Sequence, residues 1–400
     1  MSRIRLLVTL GLLLLSLVTS GLVLQAMSFA LPAVSLSWHV EGPQLSLAFS
    51  AHLLGIVIGA LALGRLGDRF GRKTLLLSGL LLQGVASIAS ALAADPGWLT
   101  LTRLIAGIGV GGCTPNAVSL ALESSPARWR TRATSLVLSG VALGSCLPAL
   151  VVRWLLPTQG WPVLFWSGGA ASLLTAAVIW IVLHESFVPS TGRAGTSESG
   201  SGSSGGLRQL VRGALLRPTL LLWTLYAACM MSLHLVTSWL PLLLGQAGLS
   251  FTQAADLTGL IHLSGAVATL CTTALLERLG QLWLLLLLVT ALISTAVLAA
   301  MGLGVTGLSV WIAGLGFGLI GSQGVLGSLA AQLYPAHCRP SGIGAALAAG
   351  RAGSMAGPLL GGAAQMLGIA DTGVMGLAVG ALCVAIGAAW LFTRSTLPSC

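Results

Sequence analysis

The chain has 400 residues, of which 56% are hydrophobic and only 7% charged, with a formal net charge of +10. Soluble domains carry about 25% charged residues, so this chain lacks the polar surface to cover itself in water, and most of it must face lipid. The basic excess does not read as a nucleic-acid binder, because it lies in short clusters between apolar runs, without a basic face or interleaved aromatic platform.

The apolar runs are long, continuous and rich in Leu, Ala and Gly, which argues for helices rather than the alternating ~10-residue segments of a β-barrel. At ~20 apolar residues per span, the length allows about a dozen helices. In chain order they are expected near 6–27, 45–63, 74–94, 99–121, 133–153, 163–183, 218–242, 253–275, 282–302, 306–331, 341–368 and 373–392. The first run follows Arg3 and Arg5, as in a signal peptide, but it exceeds the ~7–15-residue core of such a segment. The seven cysteines fall mostly inside apolar runs without CxxC spacing, as small packing residues. No metal-ligand spacing, nucleophile–base pattern or cofactor motif stands out, so neither an enzyme nor a bound cofactor is expected.

Basic residues report sidedness. Sixteen of the 19 Lys and Arg fall in one set of loops and only Arg153 in the other, with Arg103 and Arg351 in or near spans. Both termini are therefore expected in the cytoplasm. The longest loop holds a Gly/Ser-rich run, 192–206, whose composition is that of a flexible tether. It divides the chain into a six-helix half at 1–183, a linker at 184–217 and a second six-helix half at 218–400.

The halves share a register. An offset of 209 residues takes Pro32 to Pro241, Arg69 to Arg278, Gly109 to Gly318, Pro126 to Pro335, Arg130 to Arg339 and Gly144-Ser145 to Gly353-Ser354. A gap-free offset across five spans points to a parallel internal repeat, with a site between the halves near the midplane.

The loop after the second span reads Gly64-Arg65-Leu66-Gly67-Asp68-Arg69-Phe70-Gly71-Arg72-Lys73. It resembles the signature loop of the major facilitator superfamily. That resemblance implies an all-α membrane fold of twelve transmembrane helices in two pseudo-symmetric six-helix halves. It also implies a conformational latch, here Gly64, Asp68, Arg69, Gly71 and Arg72 with Glu123 and Arg130.

A narrower resemblance rests on Gly111-Gly112-Cys113-Thr114-Pro115-Asn116, Glu123-Ser124-Ser125-Pro126-Ala127-Arg128, Ser238-Trp239-Leu240-Pro241, Tyr334-Pro335 and Gly350-Arg351-Ala352-Gly353-Ser354. These stretches are similar to the aromatic acid:proton symporter branch. The resemblance implies a small organic acid, aromatic in kind, carried with a proton across the inner membrane. An exporter or uniporter of other metabolites or drugs, and a transport-inactive membrane sensor or scaffold, are the competing readings. One departure stands out: that branch carries an Asp-Gly-x-Asp motif in its first helix, where this chain has Ser20-Gly21-Leu22-Val23.

Candidate site residues follow from charge and polarity inside spans, where a central Arg costs about 2.5–3.5 kcal/mol. Arg103 either snorkels to the interface or faces the central site, where its fork suits a carboxylate. Arg351 either neutralises the substrate or pairs at the cytoplasmic interface. Gln25, Asn116, Ser322 and Gln323 complete the expected site. With the first-helix acids absent, His262, His52 and His234 are the proton-coupling candidates, because histidine titrates near neutrality. Asp256 is the remaining one, with local pairing as its alternative. Trp38, Trp98, Trp154 and Trp161 are expected as interface anchors.

Overall fold

A computed structural model describes residues 3–40, 42–183, 215–300, 304–335, 338–369 and 371–396. Within them lie twelve long helices: α1 (Arg3–Trp38), α2 (Gly42–Phe70), α3 (Arg72–Ala91), α4 (Pro96–Ser124), α5 (Arg130–Trp154), α6 (Pro162–Val182), α7 (Leu216–Gln246), α8 (Phe251–Leu279), α9 (Gln281–Ala299), α10 (Val305–Leu333), α11 (Arg339–Met366) and α12 (Asp371–Thr396). A single turn, Leu156–Gln159, and a 3-10 turn, Ala127–Trp129, join them. The expected tether falls almost wholly outside the described residues, as do the side chains of Arg65 and Asp68.

Helix starts follow local chemistry. The Asp95 side chain accepts from the Trp98 backbone N–H at 2.8 Å and caps α4, whose first residue is Pro96. Ser250 and Gln253 form a reciprocal capping box at α8. Between α2 and α3 the chain turns at Gly71, with φ +91°, a conformation that a side chain resists.

Eleven of the twelve helices are long and apolar enough to cross a membrane. The exception, α11, is 28 residues long but rich in Gly and Ala and interrupted by Arg351 and Pro358. It packs mainly on α7 and α2, so protein rather than lipid surrounds much of it. Several helices are longer than the apolar runs alone suggest. α1 continues through Pro32 to Trp38, and α7 through Pro241 to Gln246, because a neighbouring helix can cover the backbone groups that proline frees.

The 209-residue repeat is visible in the helix starts. Those of α2 to α6, at 42, 72, 96, 130 and 162, map onto those of α8 to α12, at 251, 281, 305, 339 and 371. The close approaches repeat as well. Gly144 lies on the Val18 carbonyl and Gly353 on the Ala227 carbonyl; Gly107 lies on the His52 carbonyl and Gly316 on that of Ile261. Both partners in each pair are related by the same offset, and none of the four glycines leaves room for a Cβ, so the crossings are set by small residues.

Helices α1–α6 pack among themselves and α7–α12 do likewise, with matching partners such as α2 on α4 and α8 on α10. The halves meet along a seam formed by α2 with α11, α5 with α8 and α1 with α7. Trp98 and Trp154 are exposed near helix ends, as expected of anchors. Trp161 is not: it is buried edge-on between Trp38 and Phe165.

Candidate functional site

Arg103 lies seven residues into α4, about 10 Å along the helix, and its side chain is 0% exposed. Nε and Nη2 both donate to Ser90 Oγ, at 3.1 and 3.0 Å, and Nη1 donates to the Val23 carbonyl at 3.2 Å. The guanidinium stacks on Phe165, 4.8 Å from the ring centroid, a favourable placement for a desolvated cation. It therefore neither snorkels nor opens on the seam in this conformation. Arg103 ties α4 to α1, α3 and α6 inside the first half.

The two first-helix positions where acids are expected belong to this interior. Ser20 Oγ donates to Gln83 Oε1 at 3.1 Å, and Gln83 Nε2 donates to Ser172 Oγ at 2.9 Å, linking α1, α3 and α6. Val23 is fully buried, and its backbone carbonyl receives Arg103. Gln83 and Ser90 went unremarked in the sequence; a buried Gln in an otherwise Leu-rich span was the signal available for the former.

A second polar group spans the seam. Gln25 Nε2 on α1 is hydrogen-bonded to His262 Nε2 on α8, across the halves. His52 on α2 contacts the Arg103 carbonyl through Nδ1 at 2.9 Å, while its buried Nε2 has no hydrogen-bond partner among the described residues. His234 on α7 is an electrostatic neighbour of His52, His262 and Arg351. Arg351 on α11 is partly exposed, and no ion pair or hydrogen bond holds its guanidinium among the described residues. One helical turn further along α11, the Met355 carbonyl accepts from Ser50 Oγ of α2 at 3.0 Å. Nearby, Phe49 of α2 meets Trp239 of α7 with centroids 6.4 Å apart.

The repeat relates these groups: the 209-residue offset takes Gln25 to His234, and Leu53, beside His52, to His262. The α1–α8 contact of Gln25 with His262 thus has its counterpart in the α7–α2 approach of His234 to His52. At this depth the seam carries the Arg351 guanidinium and no carboxylate among the described residues. Such a setting accepts an anion.

The family model described as Major Facilitator Superfamily matches residues 13–358. The chain belongs to the major facilitator superfamily. Within it, the chain is 34% identical to a 3-(3-hydroxy-phenyl)propionate transporter of Escherichia coli, over 96% of this chain and 93% of that protein. It is 31% identical to a gallate transporter of Pseudomonas putida, over 87% and 83% of the two chains. A 4-hydroxybenzoate transporter of Acinetobacter baylyi is 30% identical, over 85% and 81%. Among solved structures, a bacterial homolog of the human lysosomal transporter Spinster, in an inward-facing and unoccupied conformation, matches with a TM-score of 0.81. It is 16% identical and covers 100% of both chains. Proteins of this superfamily and these relatives are transporters rather than enzymes.

The superfamily's signature loop here makes its described contacts within the first half. Arg72 Nε donates to Glu123 Oε1 at 3.0 Å, joining α3 to α4. Gly64 faces Pro115, and Gly67 faces the Asn116 side chain. Arg69 lies over Phe70, and Arg130 is exposed at the start of α5. The Asp68 side chain lies outside the described residues.

The remaining candidates are dispersed. Asn116 is buried between α4 and α2, donating to the Leu63 carbonyl at 3.2 Å and to the Gly112 carbonyl at 2.8 Å. That puts it beneath the signature loop, away from Gln25 and His262. Gln323 on α10 donates to the Leu319 carbonyl of its own helix at 3.3 Å, and its buried Oε1 has no partner among the described residues. Ser322 is likewise bonded to the Leu319 carbonyl. Asp256 accepts from Arg153 Nη1 at 3.1 Å, an exposed ion pair that joins α8 to α5 across the seam.

Proposed function

We propose that the protein carries a small aromatic organic acid through the inner membrane together with a proton, by alternating access between its two halves. The observation that carries this reading is Arg351: a guanidinium on a seam helix, beside His234, without a carboxylate partner among the described residues. An arginine on a seam helix without a carboxylate partner recruits an anion, and a substrate carboxylate supplies one. The three curated relatives, named for hydroxyphenylpropionate, gallate and hydroxybenzoate transport, support an aromatic acid.

In this reading Gln25 and Gln323 contribute hydrogen bonds around the acid, and Arg103 organises the first half. The basic ends, with Arg69, Arg72, Lys73 and Arg130, face the cytoplasm, as do both termini. Residues 1–183 and 218–400 are the rocking units and 184–217 the linker between them. When the halves close at the cytoplasmic end, the signature loop, Asp68 included, latches them. In the conformation described here it is the opposite end that is held shut, by the ion pair of Arg153 with Asp256 and the contacts of Ser50, Phe49 and Trp239.

Uptake of labelled aromatic acids by expressing cells, with and without a proton uncoupler, tests this. Accumulation of a hydroxybenzoate-type acid that the uncoupler abolishes is the expected result. Absence of accumulation for every aromatic acid would remove the substrate assignment, and accumulation indifferent to the uncoupler would remove the symport.

A further inference from the structure

Secondary transport coupled to protons needs a group that changes charge within reach of the substrate. The first helix offers Ser20 and Val23, neither of which titrates. What the seam offers instead is histidine. Of its three histidines, His262 alone is hydrogen-bonded across the halves, to Gln25. His52 is tied through Nδ1 to the Arg103 carbonyl, and each of His52 and His234 has an arginine as an electrostatic neighbour. Among the described residues His262 has the His234 ring in that role and no arginine.

Resting on the transport reading above, we infer that His262 takes the proton that travels with the acid, and that Gln25 accommodates both charge states of the ring across the seam. A glutamine amide can do this because it carries both a donor and an acceptor. With His262 neutral, the Gln25 Nε2 hydrogen donates to the lone pair on Nε2 of the ring. On protonation, a hydronium gives its proton to that lone pair, one N–H bond forms as one O–H bond breaks, and water leaves. The new N–H then donates to Gln25 Oε1 once the amide turns over. The same transfer in reverse, to water on the other side, completes the cycle without a further reactant.

The surroundings make proton and acid a linked pair. Facing His262 is Gln25 from α1; His234 of α7 is its electrostatic neighbour, and Arg351 of α11 is in turn a neighbour of His234. Asp256 lies six residues earlier on α8 and is occupied by Arg153 of α5. Among the described residues, α9 and α10 bring no charged side chain to it. An imidazolium here has only positive charge for company until an anion arrives at Arg351. The acid therefore raises the proton affinity of His262, and by reciprocity the proton raises the affinity for the acid by the same factor.

The test uses the purified full-length protein, with 4-hydroxybenzoate as probe. In weakly buffered detergent, the wild type should take up about one proton per acid bound, and reconstituted His262→Gln should take up none. In vesicles, pH-driven accumulation by His262→Gln should fall at least about tenfold, and the 4-hydroxybenzoate exchange that remains should no longer depend on pH. Gln25→Met leaves the ring in place and serves if His262→Gln does not fold: it should shift the pH midpoint of binding by about one unit. Wild-type accumulation and proton uptake retained in His262→Gln would overturn the assignment, as would an unmoved midpoint in Gln25→Met. A wild type that neither exchanges nor accumulates any aromatic acid fails the transport reading itself, and this inference with it.

Discussion

Arg103 Nη1 donates to the backbone carbonyl of Val23 at 3.2 Å, so a fully buried guanidinium of the first half sits against one of the two first-helix positions where an acid is expected. The cation is satisfied here by neutral groups: a hydroxyl, a carbonyl and the face of Phe165. Breaking a buried polar arrangement by removing one partner costs about 3–5 kcal/mol when a charge is left uncompensated. A network built on dipoles alone stands to lose less, but still loses.

Arg103→Lys keeps the charge and forfeits the fork. It should lower the thermal midpoint in detergent by several degrees and reduce maximal transport, with the apparent affinity for a carboxylate changed by less than about threefold. Thermal unfolding followed by size-exclusion fluorescence, alongside uptake kinetics, separates the two effects. A large loss of affinity at unchanged stability would make Arg103 a substrate ligand instead.

Val23→Asp should be tolerated because of Arg103. In a double-mutant cycle on stability, the aspartate should cost at least about 1 kcal/mol more when Arg103 is replaced by Leu than when it is present. Equal costs in the two backgrounds would show that position 23 and Arg103 do not communicate.

Arg351 is expected to behave in the opposite way to Arg103. Arg351→Gln should raise the apparent KM for 4-hydroxybenzoate by about tenfold or more, since a carboxylate loses its charged partner. Its thermal midpoint should stay within a few degrees, because the guanidinium has no ion pair among the described residues to lose.

Asp256→Asn should leave proton-driven accumulation intact. Its carboxylate and Arg153 are both about half exposed, with side-chain values of 44% and 54%. Exposed pairs contribute only about 0–1 kcal/mol, so the loss of stability should stay below about 1 kcal/mol. Collapse of accumulation in this variant would return Asp256 to the list of proton carriers.

Gly71→Ala places a side chain at φ +91°. It should destabilise the α2–α3 turn by about 1 kcal/mol or more, seen as a lower thermal midpoint, whereas Gly245→Ala, whose Cβ would meet open space, should not.

Much of the fold was legible because lipid imposes a simple code of apolar length, and because the chain repeats itself. The 209-residue offset, visible in Pro32 and Pro241 or Gly144 and Gly353, became an offset of helix starts and of backbone contacts. The site was legible only in part. Sequence can show that Arg103 and Arg351 are costly residues inside spans, but not which way each points. That depends on partners far along the chain: Ser90 and Phe165 enclose one, while nothing described pairs with the other. Asn116 looked like a site residue for the same reason, and proves to be bonded to the Leu63 carbonyl beneath the signature loop. The bond of Gln25 to His262 joins residues 237 apart in sequence; both were visible as polar groups in spans, their meeting was not.

The most direct test of the account is counterflow in proteoliposomes containing only this protein. Vesicles loaded with unlabelled 3-(3-hydroxyphenyl)propionate and diluted into trace labelled 4-hydroxybenzoate should accumulate the label transiently, and an inward proton gradient should drive net uptake without preloading. Failure to exchange any aromatic acid in either arm, by protein shown to be folded, would contradict an aromatic-acid carrier.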